Sequence, residues 1–286
     1  MKKLLSSLLL AGAITSGGAA TSINLTNNFS YGENVGWMDW RGNITSGVVI
    51  GEYFCSGSIY AANLGWIRMG VGMPTNGMQY QNFAANDYGV NLDGLGNLRG
   101  YAYGANIGWI NFESLGDPKV DLTTGNLSGY AYSANCGWIS LTNEFAFVQI
   151  DTIPGGPDTD GDGMADAWER LNFGGLGAAG GADADGDDAS NRQEYLAGTN
   201  PNDATDNLII TTYNVAPGGT LATVGWQSVL TRRYRIETTL NLNAPNWTDS
   251  GLGLINPDGA TTTRMFGDTN APMRFYRVQA VRPLAP

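Results

Sequence analysis

Two acidic stretches, Asp158–Glu169 and Asp183–Glu194, begin 25 residues apart and carry the chemistry that this chain advertises. Each puts oxygen-bearing side chains at positions 1, 3, 5, 9 and 12 of a twelve-residue loop. That is the spacing of a calcium loop, in which a hard cation collects six to eight oxygens at about 2.3–2.6 Å. In the first loop Asp158, Asp160 and Asp162 supply single carboxylate oxygens. Met164 offers its backbone carbonyl, Asp166 binds directly or through water, and Glu169 closes the shell with two oxygens. In the second loop Asp183, Asp185, Asp187, the Ala189 carbonyl, Asn191 and Glu194 take the same roles. Gly163 occupies the sharp turn of the first loop, where a positive φ is wanted. Asp188 stands at that place in the second and tolerates it at some cost, so the second site is expected to be the weaker.

An acidic, solvated linker is the competing reading, because Asp-Gly-rich segments are common in flexible regions. Two registers that both end in Glu at position 12 argue against it. So do the short helical patterns that follow, with Trp168, Leu171 and Phe173 after the first loop and Tyr195 and Leu196 after the second. Gly174-Gly175 and Gly198 then end those helices. Pro154-Gly-Gly-Pro157 leaves no room for an entering helix. Over Asp158–Glu169 and Asp183–Pro201 the segment resembles the calcium modules of secreted proteins, of the thrombospondin type 3 and dockerin kind. The resemblance implies paired loop–helix elements and two calcium ions. It does not imply a cohesin partner.

The elements around this segment are predominantly β. Residues 23–148 hold four copies of one core: Tyr31-Gly-Glu-Asn34-Val-Gly36-Trp37-Met38, Tyr60-Ala-Ala-Asn63-Leu-Gly65-Trp66-Ile67, Tyr103-Gly-Ala-Asn106-Ile-Gly108-Trp109-Ile110 and Tyr132-Ser-Ala-Asn135-Cys136-Gly137-Trp138-Ile139. The tryptophans are 29, 43 and 29 residues apart. Alternating aromatic and small residues read as strands, and Asn with Gly supplies the positive-φ positions of a hairpin turn. Each copy spans about three short strands that cannot bury an apolar face alone, so the copies stack or close. A sandwich, a barrel and a curled sheet all satisfy that requirement. The core resembles a Gly-Tyr-Ala-Tyr-Ser-x-Asn-x-Gly-Trp-Ile repeat of exported bacterial proteins.

Because they recur in every copy, Trp37, Trp66, Trp109 and Trp138 are expected in the repeat core. The rival assignment makes the aromatics a sugar-stacking surface, with one of Tyr101/Tyr103 and one of Tyr130/Tyr132 exposed. Residues 207–286 predict strands over 208–213, 221–226, 234–238, 261–266 and 274–281, which suit a small immunoglobulin-like or fibronectin-like β-sandwich. Residues 234–242, Trp247 and 274–278 resemble C-terminal β modules of large exported bacterial proteins. Arg232, Arg233, Arg235, Arg274 and Arg277 form either a basic face or a solvated strand surface. The expected layout is thus a signal peptide (1–20), a β-repeat domain (21–150), a calcium-binding loop–helix pair (151–206) and a β-sandwich (207–286).

Met1-Lys2-Lys3, an apolar run and Ser16-Gly-Gly-Ala-Ala20 form an export signal, with cleavage expected after Ala20. The apolar run is too short to span a bilayer. Export makes millimolar calcium accessible. It also permits a disulfide between Cys55 and Cys136, with two buried thiols as the equal alternative. The formal net charge is −11. Residues 151–206 carry 13 of the 26 acids against Arg170 and Arg192. The acidity is therefore local, and nucleic acid or an anionic membrane is a poor partner.

With no histidine, Ser-His-Asp and Cys-His catalysis and His-liganded zinc are excluded. No phosphate-binding glycine loop stands in the required context. Glu33, which replaces an Ala of the other copies, and nearby Asp39 are the one hint of a carboxylate-dependent glycosidase or lyase, and a polar turn residue explains them better. The sequence therefore predicts a secreted, calcium-binding, non-enzymatic protein with a structural, adhesive or surface-display role. Its partners would be cell-surface or matrix polysaccharide or protein. A carbohydrate-binding module is the alternative.

Overall fold

The computed structural model describes residues 21–42, 45–267 and 274–285. The expected leader lies outside them. The chain divides into two compact units. Of the described residues, one holds 21–161 with 165–177 and the last residues from Leu284; the other holds 178–283 with Asp162–Met164.

In the first unit eight strands close into an antiparallel barrel: β1 (Ile23–Gly32), β2 (Gly36–Asp39), β3 (Ser58–Ala61), β4 (Gly65–Arg68), β5 (Leu98–Gly104), β6 (Gly108–Asn111), β7 (Tyr130–Ser133) and β8 (Gly137–Ser140). Each pairs with the next, and β8 returns to β1 through Tyr31↔Ser140 and Gly32↔Ile139. Of the three closures open to the repeat, the barrel is the one formed. It removes every exposed strand edge from this ring.

Each repeat core is one hairpin. The carbonyls of Gly32, Ala61, Gly104 and Ser133 accept from the N–H groups of Val35, Leu64, Ile107 and Cys136, at 3.1–3.4 Å. Gly36, Gly65, Gly108 and Gly137 follow at φ 76–83°. This is a turn closed by one left-handed glycine. The recurrent Asn is not at a positive φ as the sequence suggested. Its side chain instead crosses to the neighbouring hairpin. Asn63 Nδ2 donates to Val35 O (3.1 Å), Asn106 to Leu64 O (3.0 Å), Asn135 to Ile107 O (2.8 Å) and Asn34 to Cys136 O (2.9 Å). The four bonds form a closed ring at one end of the barrel. A Cβ on Gly32 would stand 2.7 Å from Val35 Cγ2, and one on Gly104 2.8 Å from Ile107 Cγ2. The turn residues thus fold back onto the strand ends, which explains small residues there.

A third strand precedes each hairpin. Val90–Leu92 pairs with the front of β5, Val49–Ile50 leads into Cys55–Ser56 ahead of β3, and Lys119–Val120 pairs with Leu127–Ser128 ahead of β7. For the first copy that strand comes from the far end of the domain: β9 (Val148–Ile150) pairs with Ile23 and Asn28 of β1.

Pleating sorts the side chains. Met38, Ile59, Ile67, Ala102, Ile110, Ala131 and Ile139 are buried within one contiguous core. Trp37, Trp66, Trp109 and Trp138 have the opposite parity and are 50%, 48%, 47% and 45% exposed. The expectation that these tryptophans form the core is therefore overturned: period-two alternation sends every Trp outward when the neighbouring Met or Ile points in. Tyr103, Tyr130 and Tyr132 are exposed and Tyr101 half-buried, because residues two apart in a strand share a face. Cys55 and Cys136 are both buried and unpaired, so the disulfide is not formed. Burial pushes the Cys55 thiol far above the ordinary thiol range.

Two helices follow the acidic loops, α1 (Asp166–Phe173) and α2 (Asn191–Ala197), each ended by a left-handed glycine, Gly174 and Gly198. In the second unit two three-stranded antiparallel sheets form. One orders β10 (Ile210–Val215), β11 (Leu221–Gln227) and β14 (Thr261–Gly267). The other orders β13 (Thr248–Asp249), β12 (Arg233–Thr239) and β15 (Phe275–Val281). They share a core of Ala222, Val224, Trp226, Tyr234, Ile236 and Phe266. Five of the six strands fall where alternation predicted them, with ends moved by up to two residues. The two-residue β13 carries too little pattern to be seen.

Candidate metal centres

The second acidic loop is shaped by its own carboxylates. Asp183 accepts from the N–H groups of Gly186 (2.7 Å) and Asp188 (3.0 Å), and Asp187 from that of Ala189 (2.7 Å). These short side chain–backbone bonds wind the loop tightly. Gly186 and Asp188 sit at φ 82° and 76°, so Asp188 adopts the left-handed turn expected of it. Ser190 then opens α2 with a reciprocal cap: its hydroxyl accepts from Gln193 N, and Gln193 Oε1 accepts from Ser190 N.

One oxygen each of Asp183, Asp185 and Asp187 lie within 4.8 Å of one another. Glu194 is 1% exposed. Its Oε1 contacts the Thr199 hydroxyl at 3.3 Å, while its Oε2 is buried without a hydrogen-bond partner. Both oxygens of Asp185, Oδ2 of Asp187 and Oδ1 of Asn191 are in the same position, and the Asn191 amide nitrogen donates to Ala179 O. Burial first, then the carboxylates of Asp185, Asp187 and Asp183, push the Glu194 carboxyl up to about 7. Asp185 is also raised, by desolvation and by Asp187, whereas backbone N–H donors hold Asp183 low. Buried acceptors without donors are costly and rare in native proteins. Such a group of oxygen acceptors could hold a cation. All the donors are oxygen, so the arrangement fits a hard ion and not a thiol- or imidazole-seeking one.

The first loop repeats the plan. Asp158 accepts from Gly161 N (2.8 Å) and Asp162 from Met164 N (3.0 Å), with Gly161 and Gly163 at φ 76° and 91°. Oxygens of Asp158, Asp160 and Asp162 again lie within 4.8 Å of one another, and Glu169 is 0% exposed. A Cβ on Gly163 would stand 2.5 Å from Arg192 Nε, so the arginine would have to shift, and the positive φ is the stricter demand for glycine. Asp166 is placed differently from Asn191. Its two oxygens accept from the amide (2.7 Å) and hydroxyl (2.7 Å) of Thr159, and Arg170 lies 3.3 Å away. In this arrangement Asp166 braces the loop. The triplets Asp158/Asp160/Asp162 and Asp183/Asp185/Asp187 are thus each brought together. Glu194 faces its own triplet, and Met164 is buried with its side chain turned from solvent.

Sequence reasoning missed how the second loop is anchored. Arg232, grouped with a possible basic face, is buried. Its Nη2 donates to Tyr195 O (2.8 Å) and its Nε to Leu196 O (2.9 Å). A guanidinium at the carboxyl end of a helix satisfies orphan carbonyls and opposes the helix dipole. A Cβ on Gly198 would meet Arg232 at 3.0 Å, so the helix-ending glycine also makes room for this clamp. Arg277 pairs with Glu237 (2.7 Å) and lies 4.5 Å from the centre of the Trp247 ring. The arginines therefore do not make one basic face. The signal for Arg232 was its place beside a strand start, which does not tell an inward Arg from an outward one.

No helix among the described residues is long and apolar enough to cross a membrane. No protein family, curated protein or solved structure matches the chain.

Proposed function

We propose that the chain is an exported, non-enzymatic structural protein in which two calcium ions fix an acidic connecting segment. The first would be held by Asp158, Asp160, Asp162, the Met164 carbonyl and Glu169, with Asp166 behind them. The second would be held by Asp183, Asp185, Asp187, the Ala189 carbonyl, Asn191 and Glu194. The observation that carries this reading is Glu194, buried without a donor on Oε2 and raised first by that burial and then by three facing carboxylates. A divalent cation removes that repulsion and satisfies the oxygens in one step. Twelve-residue loops with a Glu at position 12 suit calcium better than magnesium, which keeps several waters and demands a tighter octahedron.

On this reading the two sheets of residues 207–286 are an immunoglobulin-like or fibronectin-like sandwich, and residues 1–20 are a cleaved leader. The barrel and the sandwich are display elements, and the calcium loops set the stiffness between them. Extracellular loops of this kind bind at about 10⁻⁴–10⁻³ M, so each ion adds on the order of 1 kcal/mol at millimolar calcium. Calorimetric titration of residues 21–286 with calcium should give two ions per chain. Absence of heat, or binding equally strong in Asp183→Asn/Asp185→Asn, would sink the reading.

A further inference from the structure

The outward aromatics of the barrel have a second regularity beyond their exposure. Each tryptophan lies across the ladder from the tyrosine of its own hairpin: Tyr60↔Trp66, Tyr103↔Trp109 and Tyr132↔Trp138, with ring centres 4.9–5.0 Å apart, and Tyr31↔Trp37 at 5.3 Å. Two residues after each tryptophan comes a polar side chain paired with the tyrosine of the next hairpin. These seams are Asp39↔Tyr60, Arg68↔Tyr103, Asn111↔Tyr132 and Ser140↔Tyr31. The aromatic pair is thus repeated unchanged in four sectors while the polar neighbour differs in every one.

The tryptophans are only partly open. A Cβ on Gly42 would stand 3.3 Å from Trp66, and one on Gly116 3.2 Å from Trp138. Tyr88 meets the Trp109 ring at 89° and 4.9 Å, and Phe29 meets Trp37 at 85° and 6.0 Å. Loop or aromatic neighbours therefore steady each ring on one side and leave about half of it to solvent. Two of the seam groups are steadied as well: Asp39 accepts from Asn28 and from the backbone of Arg41 and Gly42, and Ser140 donates to Thr142 O.

We propose that the four Trp–Tyr pairs are equivalent stacking sites for single pyranose rings of a neutral polysaccharide, tuned by Asp39, Arg68, Asn111 and Ser140. Large rigid aromatics kept in solvent at every repeat are not explained by the core, which is complete without them. The sectors face outward around a closed ring, so one protein surface covers at most a part of them, whereas a small repeating ligand fits all four. Six of the eight barrel strands have four residues and fall short of the 9–11 that a membrane-spanning strand needs, and Asp39 and Arg68 within the belt oppose burial in lipid. With one charge of each sign in the belt, an uncharged ligand is favoured. Sugar C–H faces stack on the rings, and hydroxyls meet the fixed polar seams. A single sector binds weakly, and avidity arises only between neighbouring sectors that one polymer reaches together.

The test uses residues 21–286 in EDTA, which separates it from calcium binding. The probes are microcrystalline cellulose, soluble starch, xylan and a β-1,3-glucan, read by pull-down and by tryptophan emission. Retention on at least one polymer, an emission shift, and a loss of at least tenfold in Trp66→Ala/Trp109→Ala support the proposal. The variant's circular dichroism shows that the barrel is intact; should it fail to fold, Trp66→Phe/Trp109→Phe replaces it, expected to weaken binding several-fold. No retention on any polymer, or equal retention by the variants, overturns the proposal. So does a tryptophan-dependent signal seen only with phosphatidylcholine vesicles or as self-association.

Discussion

Replacing Glu194 by Gln separates the calcium reading from a merely structural one, because its effect must change sign with the ion. Without metal, Glu194 carries a carboxyl raised from 4.5 to about 7. Above pH 7 the folded chain bears the whole cost of keeping it ionised. At 1.36 kcal/mol per pH unit that gap is worth at most ~3 kcal/mol. Solvent screening of the half-exposed aspartates around it brings the figure to ~1–1.5 kcal/mol. Gln keeps the size of the side chain, and its Oε1 can still face Thr199, but it carries no charge. In EDTA at pH 8, Glu194→Gln should therefore melt about 4 °C higher than the parent. In millimolar calcium the order reverses, because the bidentate ligand of the second site is gone, and titration should count one ion in place of two. Differential scanning calorimetry with and without EDTA reads the first effect, and isothermal titration the second. A variant less stable than the parent in EDTA would refute the argument, since it would mean that the carboxylate is held by donors and not opposed by neighbours.

Further expectations follow from the same geometry. Stability of the metal-free chain should fall as pH rises from 4.5 to about 7, because a carboxyl raised on folding favours the fold only while protonated. In calcium the proton competes with the ion, and affinity at the second site should drop as pH falls below 7. Asn106→Asp, which keeps size but removes the donor to Leu64 O, should cost about 1–2 kcal/mol and lower the barrel's unfolding midpoint in urea. Arg232→Lys loses the two-carbonyl fork and should weaken calcium binding at the second loop while sparing the first, as counted by titration of each loop's Asp→Asn variants. Cys55 should stay unlabelled by iodoacetamide at pH 8 until the chain is unfolded, as read by mass.

The acidic loops were legible because their side chains are contiguous: spacing alone brings each Asp triplet together, and Asp188 took the turn its position demanded. The repeat was legible as strands, but closure was not. Hairpin sequences state pairing between neighbours, whereas β8 with β1 and β9 with β1 join residues more than 100 apart. The Asn ring escaped for the same reason, since Asn34 reaches Cys136 across the whole domain. Recurrence misled on the tryptophans. It was read as packing, yet parity relative to Met38, Ile67, Ile110 and Ile139 was visible in each copy and placed the rings outside. The cysteines show a third kind of limit, for their spacing holds no information on whether the sulfurs approach.

That the first repeat borrows its leading strand from residues 148–150 bears on how the domain comes into being. A ribosome must deliver the chain as far as Ile150 before the ring can lock, so earlier nascent lengths hold at best an open ribbon of hairpins. Once locked, the two ends lie side by side in one ladder. Joining them and cutting at another turn, such as that of Asn63, should give a permuted chain with the same barrel. Trimming β9 should do far more harm than its three residues suggest.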